Sequence, residues 1–170
     1  MHTNHFPPSE RGLIIMRALL AHQSGTRHMD RLLWRLRSHI RSQNLPRPNT
    51  ITLSDIGPAV AVDYGVGEGR LRLRNLMAWI PGLSGVSLRW VLWPSGYLAV
   101  ILSTRMGAAT MEISAGADIR ELGGSMEYQR HAAFGHLAGH VMPTEVVSPV
   151  TETSLNAVLG TRNTRAGVAA

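Results

Sequence analysis

The chain has 170 residues with 44% hydrophobic and 16% charged side chains, which predicts one soluble globular domain with a real core and a small appendage. Lys and Cys are both absent and all 17 basic residues are Arg, so Schiff-base lysines, thiol nucleophiles, iron–sulfur clusters, cysteine zinc sites and disulfides are excluded. The formal net charge of +6 resides in residues 1–50, where Arg11, Arg17, Arg27, Arg31, Arg35, Arg37, Arg41 and Arg47 face only Glu10 and Asp30.

Beyond residue 50 the charges cancel, so the N-terminal part is either a solvated basic face or an arm that meets nucleic acid, lipid or an acidic protein. Arg in place of every Lys is what GC-rich coding produces. The lack of Cys is compatible with the cytoplasm.

Along the chain, Ser9 to Ala21 predicts a short helix outside the main domain, capped by Ser9 and carrying Leu13, Met16 and Leu20 at helical spacing. Its apolar run is broken by Arg17 with no small-residue cleavage site after it, so no targeting segment is expected. From Met29 to Arg41 two periods compete. Met29, Leu32, Leu33, Leu36 and Ile40 fit a helix, whereas Leu32, Trp34, Leu36 and Ile40 against Arg35, Arg37, His39 and Arg41 fit a strand with one basic face. Propensity prefers the helix.

After the rigid connector Leu45-Pro46-Arg47-Pro48 the period becomes two. Thr50–Asp55 and Ala59–Val66 read as strands. Gly67-Glu68-Gly69 then turns the chain into Arg70-Leu71-Arg72-Leu73-Arg74, whose strict alternation predicts a strand with three guanidinium groups on one face. Asn75–Ile80 closes as a short helical turn. Val86–Trp93, Tyr97–Thr104 and Ala109–Ser114 form a three-stranded meander with turns at Pro94-Ser95-Gly96 and Met106-Gly107. Asp118–His140 reads as partly helical, weakened by four glycines, and the tail is loop through Pro149 before a last helix at Thr153–Leu159. The longest uncharged run, Trp90–Thr104, is shorter than the roughly 18–20 residues of a spanning helix and contains Pro94, so no transmembrane segment is expected.

Three constellations bear on chemistry. Ala61 to Gly69 is an apolar strand ending in Asp63 followed by Gly65-Val66-Gly67-Glu68-Gly69, the pattern of the first motif of many S-adenosylmethionine methyltransferases. Against it, the strand ending near Trp93 lacks the acid that would hold a ribose, and a glycine-rich hairpin explains the string more simply. On one helix, His136 and His140 at i, i+4 could face a metal near His131 or Glu145, but two ligands do not make a closed site. Glu127 and His131 would lie on the opposite side. No nucleophile elbow, P-loop or paired-carboxylate arrangement is present. Among the aromatics, Trp90 alternates with Val86, Leu88 and Leu92 and belongs to the core. Trp93 shares its face with Ser87 and Arg89 and is either rim packing or a stacking side chain.

Residues from about Met29 to Leu159 resemble the SsgA-like proteins, sporulation and cell-division regulators of filamentous actinomycetes. The similar marks, in family order, are Leu45-Pro46-Arg47-Pro48, Asp55 with Pro58-Ala59-Val60, and Arg74-Asn75-Leu76-Met77-Ala78. They continue with Trp93-Pro94-Ser95, Tyr97–Ile113 around Gly107, Val141-Met142-Pro143-Thr144-Glu145, and Leu155-Asn156-Ala157-Val158-Leu159. The chain departs from the pattern at Asn75, where the family has an acid, in the missing Gly of the Val-Pro segment, and in a longer Ala117–His140 region. The family tends to be acidic, and residues 1–28 have no counterpart.

The resemblance implies an α+β fold of whirly type, a twisted antiparallel sheet of about six to seven strands with flanking helices, here with an N-terminal helical extension. It favours a strand over Leu32–Ile40. It divides the chain into a basic extension (1–28), an SsgA-like domain (29–160) and a flexible tail (161–170). It further implies a cytoplasmic, non-enzymatic adaptor without catalytic residues, cofactor or metal, assembled as a ring-like trimer and concentrated at division septa. There it would position the tubulin-like division protein FtsZ, directly or through other family members. Arg74, Asn75 and Leu76 with the turn of Trp93, Pro94 and Ser95 are the expected partner surface. The alternative is a single-stranded nucleic-acid-binding protein using Arg35, Arg37, Arg41, Arg70, Arg72 and Arg74.

Overall fold

The computed structural model describes residues 27–54, 59–130 and 132–160. The expected helix at Ser9–Ala21, Asp55 and Pro58, His131 and the tail from 161 lie outside the described residues. The chain divides into two compact units, Met1–Arg41 and Ser42–Ala170.

In the first unit a helix (α1, residues 27–42) replaces the strand favoured by the resemblance. Leu, Arg and Met are strong helix formers, and a helix satisfies its own backbone groups where a strand needs a neighbour. Leu32 and Leu36 are buried and Arg35, Arg37 and Arg41 are exposed.

The second unit is α+β, as expected. Its strands are β1 (Thr50–Leu53), β2 (Val60–Tyr64), β3 (Ser87–Leu92), β4 (Tyr97–Met106), β5 (Ala109–Asp118), β6 (Ser125–Gln129), β7 (Ala132–Leu137), β8 (His140–Pro143) and β9 (Ser148–Pro149). Its helices are α2 (Gly69–Met77) and α3 (Glu152–Gly160), with a 3-10 turn at Ile80–Gly82. A six-stranded sheet runs β1-β2-β5-β4-β3-β9, and β6-β7-β8 form a second sheet.

The meander β3–β4–β5 is antiparallel as the alternation predicts, with Leu92↔Leu98 and Met106↔Ala109 flanking the two turns. Gly96 and Gly107 supply the left-handed backbone, at φ 88° and 65°. The sheet is nonetheless mixed, because β2 pairs with β5 in parallel, Val62 opposite Ile113. The excursion through α2 carries the chain across, so the third strand of the meander returns beside β2 in the same direction.

One face of this sheet is the core: Val60, Val62, Tyr64, Leu98, Val100, Leu102, Met111, Ile113 and Ala117 are buried. Helix α2 packs on it through Leu73 and Leu76 and α3 contributes Leu155 and Val158. The strand expected at Arg70–Arg74 is therefore a correction. Arg and Leu alternate with period two, but both favour helices, and Leu73 with Leu76 makes the inward i, i+3 pair while Leu71 is exposed. Gly69 fixes the seat. A side chain there would collide with Ala117 and the Glu121 carboxylate.

The partly helical reading of Asp118–His140 is also corrected, to the β6–β7 hairpin. At Gly135 a side chain would collide with Leu92 and Ile119, so the second sheet presses directly on the end of the first. The loop expected through Pro149 contains β8 and β9, and the last helix is found where expected, with Thr151 Oγ1 accepting the Ser154 N–H at 3.1 Å as its cap. Among the described residues no helix is long and apolar enough to cross a membrane.

A buried polar chain locks β2 to the turn after α2. Trp79 Nε1 donates to Tyr64 Oη at 2.8 Å, and Tyr64 Oη donates to the Pro46 carbonyl at 2.7 Å, with both rings almost wholly buried. Tyr64→Phe removes both of these bonds from a buried site, and a loss of about 1–3 kcal/mol is expected in urea denaturation. Burial pushes the Tyr64 phenol above its ordinary value, outweighing the bond from Trp79. The folded state thus holds this proton more tightly than the unfolded chain. Its contribution is intact below about pH 10 and is lost as pH rises beyond. A flatter alkaline limb in Tyr64→Phe checks this assignment.

Candidate functional site

The arginines expected to share a strand face are separated by the helix. Arg70 is turned inward and forked over main-chain carbonyls. Nε donates to Glu121 at 3.1 Å, Nη2 to Leu122 at 3.0 Å and Nη1 to Leu159 at 3.0 Å. Arg72 Nη1 donates to the Gly65 carbonyl at 3.2 Å, and its Nη2 lies 3.8 Å from Glu121 Oε2. Arg89, on the sheet face opposite the core, binds Glu112 at 2.8 Å and Ser103 at 3.2 Å. Of the α2 set, Arg74 is the exposed one. An Arg-rich sheet face built from Arg70, Arg72 and Arg74 does not exist.

Of the expected partner surface, Leu76 is a core residue with no exposed area, leaving Arg74 exposed and Asn75 half-buried. Helix α2 covers the core face, whereas Trp93 continues the alternation of Ser87, Arg89 and Val91 on the other face. The fold places Arg74 and Trp93 on opposite sides of the sheet, and they do not form one site.

Around Trp93, however, a surface is built. The Trp93 N–H donates to the Tyr97 carbonyl and the Gly96 N–H to the Trp93 carbonyl, both at 2.9 Å, while the Ile119 N–H ties Gly96 from the other side at 2.8 Å. This turn holds Pro94 outward. Tyr128 of β6 donates its hydroxyl to the Pro94 carbonyl at 3.2 Å. Trp93, Tyr97 and Tyr128 are 45%, 38% and 60% exposed, two aromatics flanking one turn and a third bonded to it from β6. Tyr97 lies over Gly116, where any side chain would strike its ring and hydroxyl. The sequence marked Trp93 alone. Tyr128 was hidden by the helical reading of its segment, although alternation over 125–129 carries its signal.

The glycine string is not the expected hairpin. It joins β2 to α2, the strand–loop–helix connectivity of a nucleotide-binding turn. Yet the N–H of Gly69 at the helix start donates to Glu121 Oε2 at 3.0 Å, so this chain's own carboxylate fills the place of an anionic ligand. His136 and His140 lie on neighbouring strands, not on one helix. His136 Nε2 is 3.0 Å from Glu127 Oε2, and His140 meets Trp90 edge-on at 5.3 Å. The Gln129 amide and then His136 hold the Glu127 carboxyl below its ordinary range. Among the described residues no three His, Asp or Glu side chains form a metal-binding group.

Structural and interaction roles separate in one experiment. Arg70→Ala strands its carbonyl partners, with an expected loss of about 2–3 kcal/mol in urea denaturation, whereas Trp93→Ala stays within about 1 kcal/mol of the parent. No protein-family model, curated protein or solved structure matches the chain.

Proposed function

We propose that the chain is a non-enzymatic adaptor of SsgA-like type that acts through protein contacts at sporulation septa. The observation that carries the reading is the braced aromatic turn. Trp93, Tyr97 and Tyr128 expose rigid amphipathic rings at little entropic cost, the composition of an interface centre. The order of sequence marks over Met29–Leu159 supports the family reading, and one of those marks, Trp93-Pro94-Ser95, forms that turn.

In this role the protein is cytoplasmic, assembles as a ring-like trimer and positions FtsZ directly or through another family member. Arg74 and Asn75 then serve a second contact on the opposite side of the sheet. Arg70 and Arg72, whose donors are occupied by carbonyls, and Arg89, paired with Glu112, favour this reading over nucleic-acid binding by a sheet face of the second unit.

The test is fluorescence localisation of a C-terminally tagged copy in a sporulating actinomycete, beside labelled FtsZ. Evenly spaced bands coincident with septa are expected, dispersed by Trp93→Ala with Tyr128→Ala at unchanged protein level. Signal spread over the nucleoid, or septal bands indifferent to both substitutions, overturns the role assigned to this turn.

A further inference from the structure

Helix α1 carries a feature that the adaptor reading leaves unused. At 100° per residue, Met29, Leu32, Leu33, Leu36 and Ile40 share one side, where Leu32 and Leu36 are 2% and 0% exposed. The opposite side carries Arg27, Arg31 and Arg35 as one i, i+4 row and Arg37 with Arg41 as another. Trp34 and Ser38 lie between the rows.

All five arginines are exposed, and Trp34 is 70% exposed. Helical rise spaces the Cα atoms in each row by about 6 Å. Arg31 Nε donates to the Arg27 carbonyl at 3.2 Å, a bond that does not use its terminal nitrogens. Asp30 is the acid on this helix, and it lines an open depression with Arg27 and Arg31. Among the described residues none of the five arginines pairs with a carboxylate.

We infer that this face of α1 binds single-stranded nucleic acid, the arginine rows taking phosphates and Trp34 stacking on a base. Cations set about an aromatic plane are the combination that such strands require. A bilayer surface fits poorly. An interfacial helix inserts its apolar side, and here those leucines are buried while Trp34 stands alone among the arginines. An acidic peptide would satisfy the charge and leave the indole unused. The inference rests on the first unit and is independent of the adaptor surface on the second.

The experiment is fluorescence anisotropy of the full chain with a labelled oligo(dT) of about 20 nucleotides across a sodium chloride series. Five phosphate contacts predict a slope of log affinity against log salt of about −3 to −4. Trp34→Ala is expected to weaken binding about tenfold with the slope unchanged, and Trp34→Phe to restore most of it. Changing Arg35, Arg37 and Arg41 together to Gln is expected to reduce the slope by about 2. Because these side chains are exposed, the variants should keep the parent's urea midpoint, which separates lost binding from lost fold. The inference is overturned by no binding at low salt, or by equal affinity in Trp34→Ala. It is equally overturned by tighter binding to a duplex of the same length, or by binding to phosphatidylglycerol vesicles without binding to oligo(dT).

Discussion

The close approach of α2 to β5 at Gly69 sets the geometry of the second unit. With no side chain at that position the helix start rests against Ala117, within reach of the Glu121 carboxylate. The next residue, Arg70, then spans to carbonyls on the turn after β5 and at the end of α3. A planar fork serves several acceptors in fixed directions, which a single ammonium on a flexible stem does not. At this position arginine is a structural requirement and not only a product of codon usage. From that seat follow the inward Leu73 and Leu76, the parallel pairing of β2 with β5, and the placement of Trp79 where it meets Tyr64.

The same interactions redistribute the charge that the sequence displays. Counted along the chain, Arg70, Arg72 and Arg74 look like a basic strand. In the fold two of them are occupied by carbonyls, and a third arginine, Arg89, is matched by Glu112. The second unit keeps Arg47, Arg74, Arg105, Arg120 and Arg130 exposed, nearly balanced by its acids, and its aromatic surface is the Trp93 turn. Outward cationic character concentrates on α1, where the guanidinium groups surround an exposed indole. Two surfaces of different chemistry thus belong to two units, one suited to a protein interface and one to a polyanion.

Legibility in the sequence followed how local the deciding interaction was. The meander was readable because alternation, Pro94-Ser95-Gly96 and Gly107 agree within a few residues of one another. The last helix was readable for the same reason, whereas the α+β class came with the resemblance. Arg70–Arg74 was not readable, since its alternation competes with helix propensity and the seat that Gly69 makes against Ala117 and Glu121 lies far along the chain. In 118–140 the glycines weaken a helix by propensity, and the reason for one of them, Gly135, is the room it makes for Leu92 and Ile119 across two sheets. Trp93 was found from its alternation, whereas Tyr128 depended on the pairing of β6 with β7. The inward fate of Arg70 had no local signal at all.

The parallel pairing of β2 with β5 also orders the assembly of the molecule. The β4–β5 hairpin closes across two residues and costs little loop entropy, so its ten-residue strands can zip from Gly107 outward. Strand β2 finds its partner some fifty positions away, after the intervening helix and hairpin have been gathered. Until it docks, one edge of β5 and the apolar face beneath α2 stand open to other chains. The vulnerable interval of this protein's synthesis is therefore the time between completion of the β4–β5 hairpin and capture of β2. The residues that shorten it are those that seat α2.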